Sequence, residues 1–183
     1  MSRHPSTLVL LAHPHPSTSR VNRALADAVT GLTGVTVRDL AAARGKDGFD
    51  VVAEQRFLVE HDTVVLQFPW YWYSVPGLLK DWIDQVLTYG FAYGPGDTAL
   101  RGKTLQVVTT TGAPDASYQP EGHNRFTMQE LMRPLDATAH LCGLALADPF
   151  VVHGARTLDD DTLASYCVRY QILLGGERLR ATA

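Results

Sequence analysis

Cysteine is scarce in this chain. Only Cys142 and Cys167 occur among 183 residues. Both fall in apolar patterns of helical spacing, so they read as buried thiols of a reducing cytoplasm and not as a disulfide framework. Charge of one sign is also lacking. The net charge is -3 with no block of like charges, which removes the electrostatic case for nucleic acid or a membrane surface. Long apolar runs are absent: the first, Thr7–Ala12, has six residues, too few for a signal-peptide core or a membrane span. No G-x-S-x-G elbow, repeat, linker or low-complexity tract interrupts the chain. With 45% apolar and 19% charged residues, one cytoplasmic domain over residues 1–183 is the expectation.

What is present alternates. "TLVLLA" (Thr7–Ala12) reads as a buried strand. From Arg20 to about Leu32, apolar residues recur at helical spacing; Gly34–Leu40 alternates like a strand, and Val51–His61 reads as a helix. Thr63–Pro69 is a third strand stopped by its proline. A regular stripe from Val75 to Leu87 predicts a helix, with Ser74 as N-cap and Pro76 in the first turn. Lys103–Thr110 is a fourth strand. Met128–Cys142 is a helix that Pro134 must bend or divide, and Leu144–His153 is a fifth strand interrupted by Pro149. A last helix begins with acidic residues at its positive end. Five βα units predict a parallel sheet with helices on both faces, and ligands of such sheets bind beyond the carboxyl ends of the strands.

That rule selects the loops after strands 1, 3 and 4. The first, "AHPHPSTSRVNRAL", could be read as a metal site, a histidine pair or an anion loop. His13 and His15 have no nearby Cys, Asp or Glu to complete a ligand set. Ser17, Thr18, Ser19 and Asn22 are small donors at the mouth of a helix, suited to a phosphate or to simple capping. The second loop holds five aromatics in six residues: Phe68, Trp70, Tyr71, Trp72 and Tyr73. Successive loop side chains cannot all face one interior, and no apolar span adjoins them for a membrane belt; rings with polar tips suit a flat conjugated ligand. In the third loop, Thr110, Thr111 and Gly112 can present backbone N–H groups, and Tyr118 with His123 could relay a proton.

Four stretches, "LAHPHPSTSRVNRAL", "PWYWYSVPGLLKDWIDQVLTYGFAYG", "TTTGAPDASY" and "LCGLALADPFVVHG", resemble the NAD(P)H:quinone oxidoreductase (DT-diaphorase) family. The likeness runs from about Leu8 to Gly154 and is nearest to the short bacterial branch that includes the ancillary subunit of glutathione-regulated potassium efflux. It implies a flavodoxin-like α/β fold, five parallel strands in the order 2-1-3-4-5. It further implies that His13, Ser19, Arg20, Val21 and Asn22 hold the flavin phosphate and ribityl chain, and that Pro69, Trp70, Tyr71 and Trp72 lie along the ring. Thr110, Thr111, Gly112 and Ala113 would hydrogen-bond the ring, and Tyr118 with His123 would balance charge on it. The missing adenine-binding extension favours FMN over FAD. Ping-pong hydride transfer from NAD(P)H through flavin N5 to a quinone, in a homodimer, is the activity implied. The resemblance leaves open an FMN-binding regulatory subunit, peripheral to the inner membrane through a potassium-efflux protein. A hydrolase or plain binding domain is the third reading.

Overall fold

The computed structural model describes residues 6–96 and 98–175. Strand β1 (Thr7–Leu11) is buried along its whole length, and its side chains alternate between two cores, as a period of two requires. Leu8 and Leu10 enter one core, Val9 the other. β3 (Thr63–Pro69) and β4 (Thr104–Thr110) repeat the pattern. Val64, Leu66, Phe68, Leu105 and Val107 face the first core; Val65 and Val108 face the second. Strands apolar on both sides form the interior of a sheet that helices cover twice. Every pairing is parallel, in the expected order β2-β1-β3-β4-β5, with β2 (Val35–Asp39) half-buried at one edge.

The fifth strand is broken into two pieces. β5 (Ala145–Leu146) and β6 (Phe150–Val152) each pair with β4. Pro149 has no N–H to give the ladder. Gln106 of β4 fills the interval, its side-chain amide donating to Asp148 O at 2.7 Å and Val107 O at 3.0 Å.

α1 (Arg20–Val29) and α7 (Asp160–Gly175) close the second core with Val21, Leu25, Val29, Leu163 and Tyr170. α2 (Leu40–Ala43), α3 (Val51–Glu60), α4 (Gly77–Val86), α5 (Met128–Leu131) and α6 (Arg133–Cys142) cover the first. Pro134 divides the expected helix over 128–142 at Met132, and Thr127 with Glu130 forms a capping box on α5. Ser74 does not cap α4, contrary to expectation. Its backbone is bonded both ways to Tyr71, and Pro76 takes the N-cap position. Cys142 is buried, whereas Cys167 is only half-buried.

One carboxylate is sealed inside. The Glu54 side chain is 0% exposed; it accepts from Arg38 Nε at 2.8 Å, from a second guanidinium nitrogen, and from Trp82 Nε1 at 3.0 Å. β2, α3 and α4 are thereby joined through one buried charge that is both paired and hydrogen-bonded, the condition for tolerating it.

Candidate functional site

In register, Pro69 stands beside Thr110 and Thr110 beside Val152. The loops leaving β3, β4 and β6 therefore start side by side on one rim. The chain leaving β1 passes through a short 3-10 turn (Pro16–Thr18) into α1, with Ser19 as N-cap. His13 is buried and its Nδ1 accepts the His15 N–H at 3.0 Å, which leaves the ring proton to Nε2. Burial lowers the His13 pKa below its ordinary value, so it is a neutral, fixed ring near neutral pH. The Ser19 hydroxyl makes no capping bond. That hydroxyl and the first-turn N–H groups of Arg20, Val21 and Asn22 present partial positive charge outward, the arrangement that receives a phosphate. Val21 contributes only its amide, because its side chain lies in the second core. Arg20 points elsewhere: its guanidinium donates to Leu158 O at 2.7 Å and pairs with Asp160 at the start of α7.

The loops are bonded to one another. Asn22 Nδ2 donates to Thr110 Oγ1 at 2.9 Å, and Trp70 N–H donates to Thr110 O at 2.8 Å. Asn22 O accepts from Gln67 Nε2 at 2.7 Å, and Gln67 Oε1 accepts from the Tyr170 hydroxyl at 3.1 Å. The His13 ring lies 6.3 Å from that of Tyr71, edge-on. Asn22, Trp70 and Thr110 thus share one rim. Two buried atoms there, Asn22 Oδ1 and Trp70 Nε1, have no partner. Buried polar atoms are nearly always paired. One orphan acceptor and one orphan donor on the same rim fit a ligand with polar groups of both kinds.

The five aromatics divide. Phe68 and Trp70 are buried, while Tyr71, Trp72 and Tyr73 reach outward, Trp72 with 93% exposure. Tyr71 and Ser74 exchange both backbone hydrogen bonds, at 3.1 and 3.0 Å, around Trp72 and Tyr73, whose φ angles are 48° and 60°. A two-residue turn with both central φ positive is normally the province of Asn-Gly. Here it holds two large rings in the left-handed region. The Tyr73 hydroxyl donates to Asn124 Oδ1 at 3.1 Å, joining this turn to the loop after β4.

In that loop, the amides of Gly112 and Ala113 donate no hydrogen bond within the protein among the described residues. A Cβ on Gly112 would stand 3.2 Å from Nε of the exposed Arg156 side chain, so a larger residue there would push that guanidinium aside by a few tenths of an ångström. Tyr118 is buried, which raises its pKa, and its hydroxyl lies within hydrogen-bonding reach of Thr111. The structure does not place His123 against it: His123 is exposed. The ring beside Tyr118 is that of His153, with centroids 5.4 Å apart. His153 Nδ1 lies 3.0 Å from Thr111 Oγ1, and its Nε2 lies 3.1 Å from Asp115 Oδ1. Sequence reasoning missed His153 because it applied the carboxyl-end rule to three strands; the end of strand 5 was a fourth place to look.

A helix mouth, exposed rings and free loop amides stand together on this rim. The sequence matches the Flavodoxin-like fold family over residues 5–173. The chain belongs to this family, on its NAD(P)H:quinone oxidoreductase side. It is 44% identical over 170 residues to the glutathione-regulated potassium-efflux system ancillary protein KefG of Pectobacterium carotovorum subsp. carotovorum (strain PC1), covering 93% of each chain. It is similar to the structure of general stress protein 14 of Treponema denticola in complex with FMN, with TM-score 0.86 and 38% identity over 93% of this chain and 98% of that one. An NADPH-quinone reductase structure from P. pentosaceus superposes with TM-score 0.84 and 35% identity over 92% and 97% of the two chains.

Proposed function

We propose that this protein is an FMN-dependent NAD(P)H:quinone oxidoreductase working by a ping-pong cycle. The observation that carries this reading is the bonding of Asn22, Trp70 and Thr110 into one rim that retains an unpartnered buried acceptor and donor. Bound there, FMN would supply the redox chemistry through which a nicotinamide and then a quinone react in turn. Ser19 and the first amides of α1 hold the phosphate, and Asn22 Oδ1 takes a hydroxyl of the ribityl chain. Pro69, Trp70, Tyr71 and Trp72 form one wall of the ring site. The Gly112 and Ala113 amides and the Tyr118 hydroxyl meet negative charge at the ring's polar edge. His123 is exposed, and the ring packed on Tyr118 is that of His153, so His123 is left out of this arrangement.

The exposed faces of Trp72, Tyr73 and Phe126 lie on a chain that we place in a homodimer with the site near the subunit boundary. The similarity to KefG favours a second reading, an FMN-binding ancillary subunit of a potassium-efflux protein in the cytoplasm. No helix among the described residues is long and apolar enough to cross a membrane, so the membrane would be reached through that partner.

The experiment is direct. The purified protein is mixed with FMN, desalted and inspected for yellow colour, then supplied with NADH or NADPH and a simple quinone. Quinone-dependent oxidation of the nicotinamide supports the enzyme. Bound FMN without turnover, together with co-purification of a potassium-efflux protein, supports the ancillary subunit. A colourless protein refutes both and returns the plain binding domain.

A further inference from the structure

Thr111 has one hydroxyl proton and, besides the Tyr118 hydroxyl that can donate to it, two acceptors in reach: Ala113 O at 2.8 Å and His153 Nδ1 at 3.0 Å. Ala113 O already accepts the Gly154 N–H at 2.9 Å, so it stays satisfied when Thr111 turns away. Two complete hydrogen-bond states follow without movement of a heavy atom. With His153 neutral, its proton is on Nε2 facing Asp115, and Thr111 donates to Nδ1. With His153 protonated, Nδ1–H donates to Thr111 Oγ1 and the Thr111 hydroxyl turns to Ala113 O, while Nε2–H still faces Asp115.

We propose that His153, held by Asp115 and coupled through Thr111, is the proton-accepting group behind the ring-binding loop: it takes one proton from solvent when negative charge is placed against Thr111, Gly112 and Ala113. This rests on the flavin reading above. The proton comes from water to the unprotonated Nδ1, because Nε2 already carries the proton that faces Asp115. It ends on Nδ1; no other bond forms or breaks, and no electron moves through the histidine. Burial lowers the His153 pKa from its ordinary value, and Asp115 opposes that shift. The ring therefore stands neutral until an anion arrives, with a carboxylate in place to stabilise the imidazolium. The charged and titratable groups around it are Asp115 and the Tyr118 hydroxyl from the loop after β4 and, beyond Gly112, Arg156. His153 is a positioning residue in this scheme. It acts on the ring site through the hydroxyl of Thr111 and, next to it, that of Tyr118.

The test follows the His153 imidazole by NMR in FMN-loaded protein, oxidised and then reduced anaerobically with dithionite, with His153→Gln used to assign its signals. The titration midpoint of His153 is expected to rise by about one pH unit or more on reduction, and Asp115→Asn to lower it in both states. Between the two midpoints, the two-electron potential should fall about 30 mV per pH unit more steeply than in His153→Gln, the value for one additional proton per two electrons. If His153→Gln does not fold, Asp115→Asn, an exposed change, carries the comparison. A midpoint that is the same in both redox states, or equal slopes in wild type and variant, overturns the relay alone. A protein that takes up no FMN removes the relay together with the reading beneath it.

Discussion

Replacing Trp72 with asparagine separates what the aromatic turn costs from what it does. Trp72 is 93% exposed, so its removal sacrifices almost no packing in the free protein. Its φ of 48° places an ordinary L-residue where the backbone cost is roughly 1–2 kcal/mol. Asparagine is enriched several-fold in that region, and Trp72→Asn is expected to stabilise the apoprotein by about 1 kcal/mol. For a chain of this size that is a rise in Tm of roughly 2–4 °C. Trp72→Gly relieves the same strain but returns about 0.5–1 kcal/mol to the unfolded chain, so its stability should stay near wild type. FMN binding should move the other way. Stacking of an aromatic side chain on a heterocyclic base is worth about 1–3 kcal/mol, and losing it weakens affinity roughly ten- to a hundredfold. Urea melts of the apoprotein and titration of FMN fluorescence read the two effects separately. An asparagine variant no more stable than wild type would show that the turn stores no strain. Unchanged FMN affinity would take Trp72 out of the ring site.

Further outcomes follow from other parts of the fold. Tyr118→Phe should keep FMN bound while slowing its reduction by NAD(P)H in stopped flow; an unaltered rate removes the hydroxyl from the chemistry. Glu54→Ala leaves Arg38 without its buried partner and should cost about 3–5 kcal/mol in urea unfolding, whereas Arg44→Ala, whose pair with Asp81 is partly exposed, should cost less than about 1 kcal/mol. His13 and His153 both have pKa values lowered by burial from 6.5. Their contribution to stability is present above about pH 6.5 and is lost as pH falls toward the folded-state values, because the unfolded chain binds those protons first. His13→Gln with His153→Gln should flatten apoprotein stability over that window, and an equally steep acid loss in the double variant would show that other groups control it.

The sheet was legible because its strands are short, apolar and bounded by turn residues, and the order 2-1-3-4-5 came with the resemblance. Pro134 and Pro149 were correctly read as breaks, since a missing N–H acts locally whatever surrounds it. Ser74 was misread because N-cap chemistry and turn chemistry use the same residue types, and only the backbone pairing with Tyr71 separates them. Arg20 sits within the phosphate loop in sequence, yet its partners Leu158 and Asp160 lie at the far end of the chain. No local pattern could announce that pairing. The same is true of Tyr118, whose neighbouring ring comes from the end of β6 and not from five residues downstream. Contacts between distant segments are what periodicity does not carry.

The last helix is also part of the binding rim. Its Tyr170 hydroxyl holds Gln67, which holds the Asn22 carbonyl, and its first turn holds Arg20 in that same first turn of α1. A nascent chain still waiting for residues 160–175 to leave the ribosome would therefore lack the clamp that sets α1 in place. On the proposed reading, FMN capture is accordingly expected only once residues 160–175 have packed against α1.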